Sequence, residues 1–394
     1  MIVNQNMNLT REEKLLRLIA AQRLESTQAA AIRREVNNGL EWYRLINIAL
    51  YNGLASLLYR HLKDLELFPL APEWFEEALE KVYNKTVFHN LRILRFLNDL
   101  GQILKKENIP VIILQGAALL MSVYDDPGVR PMEDIDLMVR PDHRRRLQRI
   151  FQEMGFSSDS IYPDTYRKGI IYIDIHVDIL SSERIHARKW VMNTGPEDIW
   201  NSALPLMDKS IPLYRLTPFD NLIALSNHLL KHNLERLKWF MDIREIILAE
   251  SGTFDWDRFV FRCRESGSDR CVLYILLLAR RLLGLEVPEI IFDSFGRKRL
   301  SSIEKTILRL RLKNKDVGRL FQVLWLFQIN KKSEQFRFII ENIFPRKEIM
   351  NQIFVSSPRV PPSYTLRFFN ILSHGLYDIF SAFRHIIFSR LPRL

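Results

Sequence analysis

The hydrophobic periodicity of the chain changes twice, and this restricts the fold more than any other feature of the sequence. Apolar side chains recur at helical spacing in residues 9–67 and 73–108, and the same spacing returns from Pro218 onward. Between them, residues 111–180 contain short β-branched runs and stretches in which polar and apolar residues alternate. The sequence therefore predicts a small α/β unit inside a helical protein.

The α/β unit is expected to run strand, helix, strand, helix, strand. The predicted strands cover 111–114, 133–139 and 170–180, and the predicted helices cover 117–124 and 141–154. The fold class is α+β, a small mixed sheet flanked by N-terminal helices and a C-terminal helical domain, with domains at 1–108, 109–215 and 216–394. Four prolines between 343 and 364 predict a loop-rich connection, followed by an amphipathic helix or helix pair at 365–391.

The charge balance predicts an anionic partner but does not choose one. Lys and Arg number 57 against 46 Asp and Glu, a net charge of +11. Such an excess attracts nucleotides, nucleic acid or an anionic membrane, and it also fits a basic protein that is merely well solvated.

The apolar runs and the cysteines indicate a soluble or peripheral protein of the cytoplasm. The longest uncharged apolar run, Cys271–Ala279, is far shorter than the ~20 residues that cross a bilayer. The first residues are polar and charged, unlike a signal peptide. Two cysteines, Cys263 and Cys271, form no disulfide framework and fit a reducing compartment.

The acidic residues of the second and third predicted strands suggest a metal site. Asp134 and Asp136 project to one side of a strand, because residues two apart share a face. Two adjacent carboxylates repel each other unless a cation lies between them, and carboxylates with substrate phosphates suit Mg²⁺. Asp174 shares a face with His176 in the third strand, and an adjacent strand could bring Asp174 beside the pair. His176 either orients a carboxylate or is an ordinary strand residue.

Three carboxylates can hold two Mg²⁺ ions, one activating an acceptor hydroxyl and one binding a triphosphate. Gly116 follows the first strand, where its lack of a Cβ lets backbone N–H groups approach a phosphate at a helix N-terminus. Arg130 is a candidate phosphate clamp, because its planar guanidinium can grip two oxygens.

At these residues the sequence resembles the uncharacterised nucleotidyltransferase family of the polymerase-β-like superfamily. Members carry Lys-Gly-x-Ala-Leu after a strand, then Arg-x-Met-x-Asp-Ile-Asp-Leu-Leu-Val, then Asp/Glu-hydrophobic-His-Trp. The corresponding segments here are 115–119, 130–139 and 174–177. The Asn52-Gly53-Leu54 break and the segment 228–242 are also similar, so the resemblance spans roughly residues 40–350.

The resemblance implies a nucleotidyltransferase core in which Asp134, Asp136 and Asp174 bind Mg²⁺ and act in catalysis. The implied reaction transfers a nucleoside monophosphate from an NTP, such as ATP, to an acceptor. Gly116, Ala117 and Arg130 are the expected nucleotide-binding residues. The acceptor is unknown, and a small molecule, a protein or a tRNA all fit. Gln115 replaces the usual Lys, and Ala117 stands where many superfamily members have Ser or Gly.

Three alternatives follow from the same residues. The departures at Gln115 and Ala117 also fit a non-catalytic scaffold that binds a nucleotide or a partner. The basic, apolar segment 365–394 also fits peripheral membrane contact and an accessory role in envelope or polysaccharide assembly. The net charge also fits a toxin-like tRNA modifier within the enzyme class.

Two further groups of basic side chains have a structural and a functional interpretation. His228 and His232 share a helix face and either pack inside the helical domain or contact a phosphate or base. Arginines on the helix predicted at 141–154 either form a solvated face or attract a polyanion; they are Arg144, Arg145, Arg146 and Arg149.

Overall fold

A computed structural model describes residues 9–250, 252–313, 318–354, 363–369, 371 and 373. Helices dominate both ends of this part of the chain. The first half contains α1 (Arg11–Leu18), α2 (Ser26–Asn37), α3 (Trp42–Asn52), α4 (Ala55–Asp64), α5 (Glu73–Glu107), α6 (Gln115–Ser122), α7 (Pro141–Glu153) and α8 (Pro196–Ser202). The second half contains α9 (Pro218–Lys231), α10 (Leu237–Ala249), α11 (Trp256–Glu265), α12 (Asp269–Leu283), α13 (Glu289–Ser294), α14 (Ser302–Leu312), α15 (Lys332–Ile343) and α16 (Lys347–Phe354).

The strands form one mixed sheet between these helical parts. They are β1 (Val111–Ile113), β2 (Ile135–Val139), β3 (Ser157–Ser158), β4 (Thr165–Lys168), β5 (Ile171–His176), β6 (Leu204–Pro205) and β7 (Leu213–Arg215). Their order across the sheet is β3-β4-β5-β2-β1-β7-β6. The pairs β2–β5 and β1–β7 are parallel, and the other pairs are antiparallel. The predicted α+β class with a small mixed sheet is confirmed.

Several elements differ from the sequence prediction. The strands β3, β4, β6 and β7 were not predicted, and β5 ends at His176 instead of continuing to Leu180. Two of these strands have only two residues, too few for an alternation, and β7 is defined by its pairing with β1 about 100 positions earlier. The loop-rich interpretation of 343–364 is wrong for Lys347–Phe354, which forms α16.

Apolar side chains cover both faces of the sheet. Val111, Ile113, Leu137 and Ile173 belong to a large core that extends in sequence from Leu15 to Phe338. Met138, Ile112 and Leu114 contact a smaller cluster with Ile199 and Trp200 of α8, on the other side of the sheet. The central strands β1 and β2 are therefore covered on both faces, so polar chemistry is restricted to the strand ends.

The long helix α5 fixes the turn that leads into β2. Asn90 donates from Nδ2 to the carbonyl oxygens of Pro127 (2.6 Å) and Arg130 (2.9 Å). Tyr83 donates to the Asp126 carboxylate at 3.1 Å, and a Cβ on Gly128 would overlap the Tyr83 ring. The path from the turn to the acidic residues is therefore set by side chains from the preceding helix.

The described residues include no helix that is both long and apolar enough to cross a membrane. In the region of helical spacing after Pro218, α14 ends at Leu312, and Gly318–Phe327 forms a 3₁₀ helix. Residues 364–369 are helical, whereas most of the amphipathic segment predicted at 365–391 lies outside the described residues. The predicted domain boundaries and the membrane-contact alternative stay predictions.

Candidate active site

The register of β2 and β5 places two of the predicted carboxylates side by side. Asp136 pairs with Asp174 across the parallel strands, flanked by the buried pairs Ile135–Ile173 and Leu137–Ile175. Asp134 immediately precedes β2. Asp136 and Asp174 are half-buried and Asp134 is open to solvent. The strand alternation thus buries the isoleucine and leucine side chains and leaves the carboxylates on the polar side.

Neighbouring side chains hold these carboxylates in place. Thr165 of β4 donates from Oγ1 to Asp174 Oδ1 at 2.5 Å. His176 Nε2 lies 2.8 Å from Asp136 Oδ1, and the His176 Nδ1 atom is 3.3 Å from Ser181 Oγ. His176 was expected on one face with Asp174, and its hydrogen bond is to Asp136 on the neighbouring strand. It therefore matches the interpretation of a residue that orients a carboxylate.

The polar atoms converge closely enough to bind one cation. One ligand atom each from Asp136, Asp174 and His176 lies within 4.8 Å of the other two. Two carboxylate oxygens, with Asp134 nearby, fit the hard-oxygen preference of Mg²⁺, which needs only one or two carboxylates besides phosphates and water. Imidazole suits softer ions, and the His176 Nε2 atom is already hydrogen bonded to Asp136. The carboxylates are thus the better candidates for Mg²⁺, and His176 for a supporting role.

The electrostatics of the cluster show uncompensated negative charge. Asp134 reaches solvent, yet surrounding protein atoms and, after them, the charges of Asp136 and Asp174 raise its pKa to about 7. Burial disfavours a charged His176, but the hydrogen bond and charge of Asp136 outweigh that effect, so the pKa of His176 is raised. Both shifts follow from carboxylates placed close together in a partly buried site, an environment that favours a cation.

Arg130, the predicted phosphate clamp, is buried and close enough to Asp134 to feel its charge. Its guanidinium is 4% exposed and donates to both oxygens of Asp242 on α10, from Nε at 3.2 Å and from Nη2 at 2.7 Å. Tyr124 donates to the same carboxylate at 2.7 Å. The Nη1 atom of Arg130 contacts the Pro131 carbonyl at 3.1 Å. Arg130 thus connects the segment that precedes β2 to α10 in the helical half.

The predicted phosphate-binding turn begins α6. A Cβ on Gly116 would overlap Arg130 Nη1, so the absent side chain makes room for the guanidinium. Gln115 has a φ of 51°, which strains a residue with a side chain. Ala117 is buried. The first amides of α6 lack carbonyl partners within the helix, which keeps the predicted phosphate contact available.

A lysine that the sequence analysis did not single out, Lys238, lies next to the acidic residues that precede β2. Lys238 on α10 donates to Glu133 Oε1 at 3.2 Å, and its charge acts on Asp134. A Cβ on Gly53 would lie 2.5 Å from Lys238 Cδ. Gly53 also has a φ of 68° at the end of α3. The Asn52-Gly53-Leu54 break thus gives space to a buried lysine, a role that no local pattern reveals.

The other basic groups are largely committed to packing or ion pairs. His228 and His232 contact each other and Trp239, with ring centroids 4.4–5.2 Å apart. Burial lowers the pKa of His232 to about 4 and lowers that of His228 well below its usual value. On α7, Arg144 pairs with Asp164 and Arg146 with Glu107. The packing interpretation of the two histidines is consistent with these contacts.

The α+β fold thus places two acidic residues opposite each other across parallel strands, with a third directly before the first of these strands. The chain matches the sequence model of the family described as "Uncharacterised nucleotidyltransferase" over residues 38–284. This match covers more than half of the chain, so the protein belongs to that family, as the sequence motifs predicted. Neither a curated protein nor a solved structure matches the chain.

Proposed function

We propose that the protein transfers a nucleoside monophosphate from an NTP to a hydroxyl acceptor in an Mg²⁺-dependent reaction. The observation that carries this proposal is the register of Asp136 and Asp174 on neighbouring parallel strands, with Asp134 directly before the first of them. Family membership supports nucleotidyl transfer in general terms. The metal, the mechanism and the acceptor are parts of the proposal.

In this proposal Asp134 and Asp136 would hold both metal ions, and Asp174 would hold the ion on the acceptor side. Bound Mg²⁺ would lower the pKa of the acceptor hydroxyl and offset the negative charge of the phosphates. His176 and Thr165 are positioning residues, because their hydrogen bonds fix Asp136 and Asp174. Fixed ligands matter because small displacements of reacting groups cost large factors in rate.

The proposed step is an in-line displacement at the α-phosphorus atom. A bond forms between the acceptor oxygen and that phosphorus, and the bond from phosphorus to the bridging oxygen breaks. Pyrophosphate leaves with the bonding electrons, and the proton of the acceptor hydroxyl passes to Asp174 or to water. We propose that the first amides of α6, at Gly116 and Ala117, contact the phosphates, with Arg130 Nη1 beside them.

The acceptor is proposed to enter through a cleft next to Asp174. This cleft has a volume of about 220 Å³, and its polar lining includes Arg144, Tyr162, Thr165, Asp174, His176 and Arg184. It is smaller than the roughly 300–1,000 Å³ of typical small-molecule pockets. The acceptor therefore inserts one polar end, which fits a small molecule as well as the end of a tRNA or a protein side chain.

A label-transfer assay tests the proposed function. The protein is incubated with Mg²⁺, each NTP labelled at the α-phosphate, and pools of metabolites, tRNA and protein. We expect label in one pool with the wild type and none with Asp136→Asn. Asp99→Asn is the matched control, because Asp99 is exposed on α5. Transfer by Asp136→Asn at the wild-type rate contradicts the proposal.

We also propose the cytoplasm as the location, supported by two free, buried cysteines, Cys263 and Cys271. Segment 365–394 is the proposed region of any peripheral membrane contact. Sedimentation with anionic liposomes, before and after deletion of that segment, tests this contact. Equal sedimentation of both forms contradicts it.

A further inference from the structure

The last residue of α9, Lys231, places a partly exposed cation beside the acidic cluster. Lys231 lines a small cavity together with Gln115, His176, Ser181 and His228. The same histidine, His176, hydrogen bonds to Asp136. The cavity has a volume of about 20 Å³, enough for one water-sized group. An oxygen atom of a larger ligand, and not the whole ligand, fits there.

The Lys231 ammonium group has no anionic partner in the part of the chain that the structure describes. No ion pair or hydrogen bond is made by its Nζ atom there, and burial lowers its pKa. The nearby positive charges of Arg188 and Arg184 act in the same direction, whereas Asp136 and Asp174 oppose it. Lys231 is partly exposed, so its ammonium group can be reached through the cavity, and an anion that enters there gains a charge-assisted hydrogen bond.

Two other nitrogen donors near Lys231 also lack an acceptor among the described residues. The indole nitrogen of Trp325, a residue that lines the cavity, is buried without a hydrogen-bond partner among the described residues. The Arg188 guanidinium lies 5.3 Å from the centre of the Trp325 ring and donates from Nη1 to the Leu180 carbonyl at 3.2 Å. Its Nε atom is buried and has no hydrogen-bond partner in the described part of the chain. Lys231 and Trp325 thus bring unused donors from separate segments to one cavity, as expected for an oxyanion site, and Arg188 lies next to the Trp325 ring.

We infer that Lys231, assisted by Arg188 and the Trp325 indole N–H, binds a phosphate oxygen of the NTP triphosphate. This inference rests on the proposed function and names a nucleotide-binding residue in the helical half. Gln115 lines the same cavity and carries no charge. The positive charge is supplied from α9 instead.

The two charge imbalances are complementary. A bound cation would offset the negative charges of Asp134, Asp136 and Asp174. A bound anion would offset the positive charges of Lys231 and Arg188. A metal-bound triphosphate supplies both in one ligand. A nucleotide without metal or a metal without nucleotide satisfies only one of the two groups, so we expect binding of the two to be strongly cooperative.

Isothermal titration of Mg·ATP and of Mg-bound inorganic tripolyphosphate into the wild type and Lys231→Gln tests the inference. Because a hydrogen bond to a charged group contributes about 1.5–3 kcal/mol, we expect both ligands to bind roughly 10- to 100-fold more weakly. Lys231→Arg should retain most of the affinity. Lys106→Gln, at an exposed position of α5, is the matched control and should bind like the wild type. Mn²⁺ binding without nucleotide should not weaken in Lys231→Gln.

The outcomes separate this inference from the proposed function. Equal Mg·ATP affinity in the wild type and Lys231→Gln overturns the inference and leaves the function standing. A loss for ATP but not for tripolyphosphate also overturns it, because Lys231 would then contact the nucleoside. The absence of any NTP binding to the wild type contradicts both.

A second measurement remains decisive if Lys231→Gln does not fold. Acetic anhydride modifies accessible amines of the wild type, and mass spectrometry quantifies acetylation at Lys231 with and without Mg·ATP. We expect Mg·ATP to reduce acetylation at Lys231 but not at Lys106. Equal acetylation of Lys231 in both conditions contradicts the inference.

Discussion

Two charged regions lie close together in this protein and differ in how their charges are matched. The first contains Arg130, Tyr124 and Asp242, which are buried and satisfy each other through hydrogen bonds. The second contains the carboxylates on β2 and β5 and the unpaired Lys231. Both regions contain a carboxylate and a cationic side chain. The difference teaches that complete pairing indicates a structural connection, whereas unmatched charge of both signs indicates a ligand site.

The largest effect should come from the unmatched region. Asp136→Asn should lower transfer activity by about 10²- to 10⁴-fold, because each 1.36 kcal/mol of lost transition-state stabilisation is a factor of ten and a metal contributes several kcal/mol. Folding should be retained, since the substitution removes repulsion. Activity is measured by label transfer and folding by thermal melting, with Asp99→Asn as control. A folded variant with wild-type activity would contradict the proposed role.

In the first region, where the charges are matched, substitution should lower stability. Asp242→Ala leaves the buried Arg130 without its carboxylate, and breaking a buried pair costs about 3–5 kcal/mol. The free energy of unfolding, measured by urea titration, should fall by about that amount. In the double variant Arg130→Met/Asp242→Leu, much of the loss should be recovered. A loss of less than about 1 kcal/mol in Asp242→Ala would show that the pair does not hold the two halves together.

The free energy of unfolding should depend on pH through Asp134, which belongs to the region of unmatched charge. Its pKa in the folded protein is about 7, above its usual value of 3.8, so the folded state holds this proton more tightly than the unfolded state. The contribution of Asp134 to stability is therefore complete below about pH 4 and is lost as the pH rises through 7. In metal-free buffer, the unfolding free energy of Asp134→Asn should increase relative to that of the wild type between pH 5 and pH 8. A difference that stays constant between these pH values would contradict the shift.

The smallest expected effect concerns a positioning residue. Thr165→Val removes one hydrogen bond to Asp174, and such a bond contributes about 1 kcal/mol, or roughly a fivefold change in kcat. Thr165→Ser keeps the hydroxyl and should recover the rate, while KM for the NTP stays the same in both variants. A fall in KM or a change in melting temperature without a change in kcat would assign Thr165 a different role.

The sequence predicted the parts of the candidate site that depend on local alternation. Asp134 and Asp136 lie two apart, and Asp174 lies in a run of alternating β residues, so their shared faces follow from strand geometry. The α+β order of the core followed from the change in periodicity. These features depend on neighbours in the chain, and the structure confirms the fold class.

The remaining features depend on contacts between distant segments. Asp242 reaches Arg130 from 112 positions away, and Lys238 reaches Glu133 from 105. No periodicity specifies such partners. Lys231 was visible only as part of the segment between His228 and His232, and its importance follows from the cavity and the missing partner. Gly116 was assigned to phosphate approach, and its close neighbour is the Arg130 side chain.

The most direct test of the central claim is a thermal-shift panel with each NTP, with and without Mg²⁺, on the wild type and on Asp134→Asn/Asp136→Asn. A ligand that binds only the folded state raises the melting temperature, and no acceptor is needed. We predict an increase with at least one NTP that requires Mg²⁺ and disappears in the double variant. An equal increase in the double variant, or no increase with any NTP at saturating concentration, would contradict the claim that these carboxylates form a metal–nucleotide site.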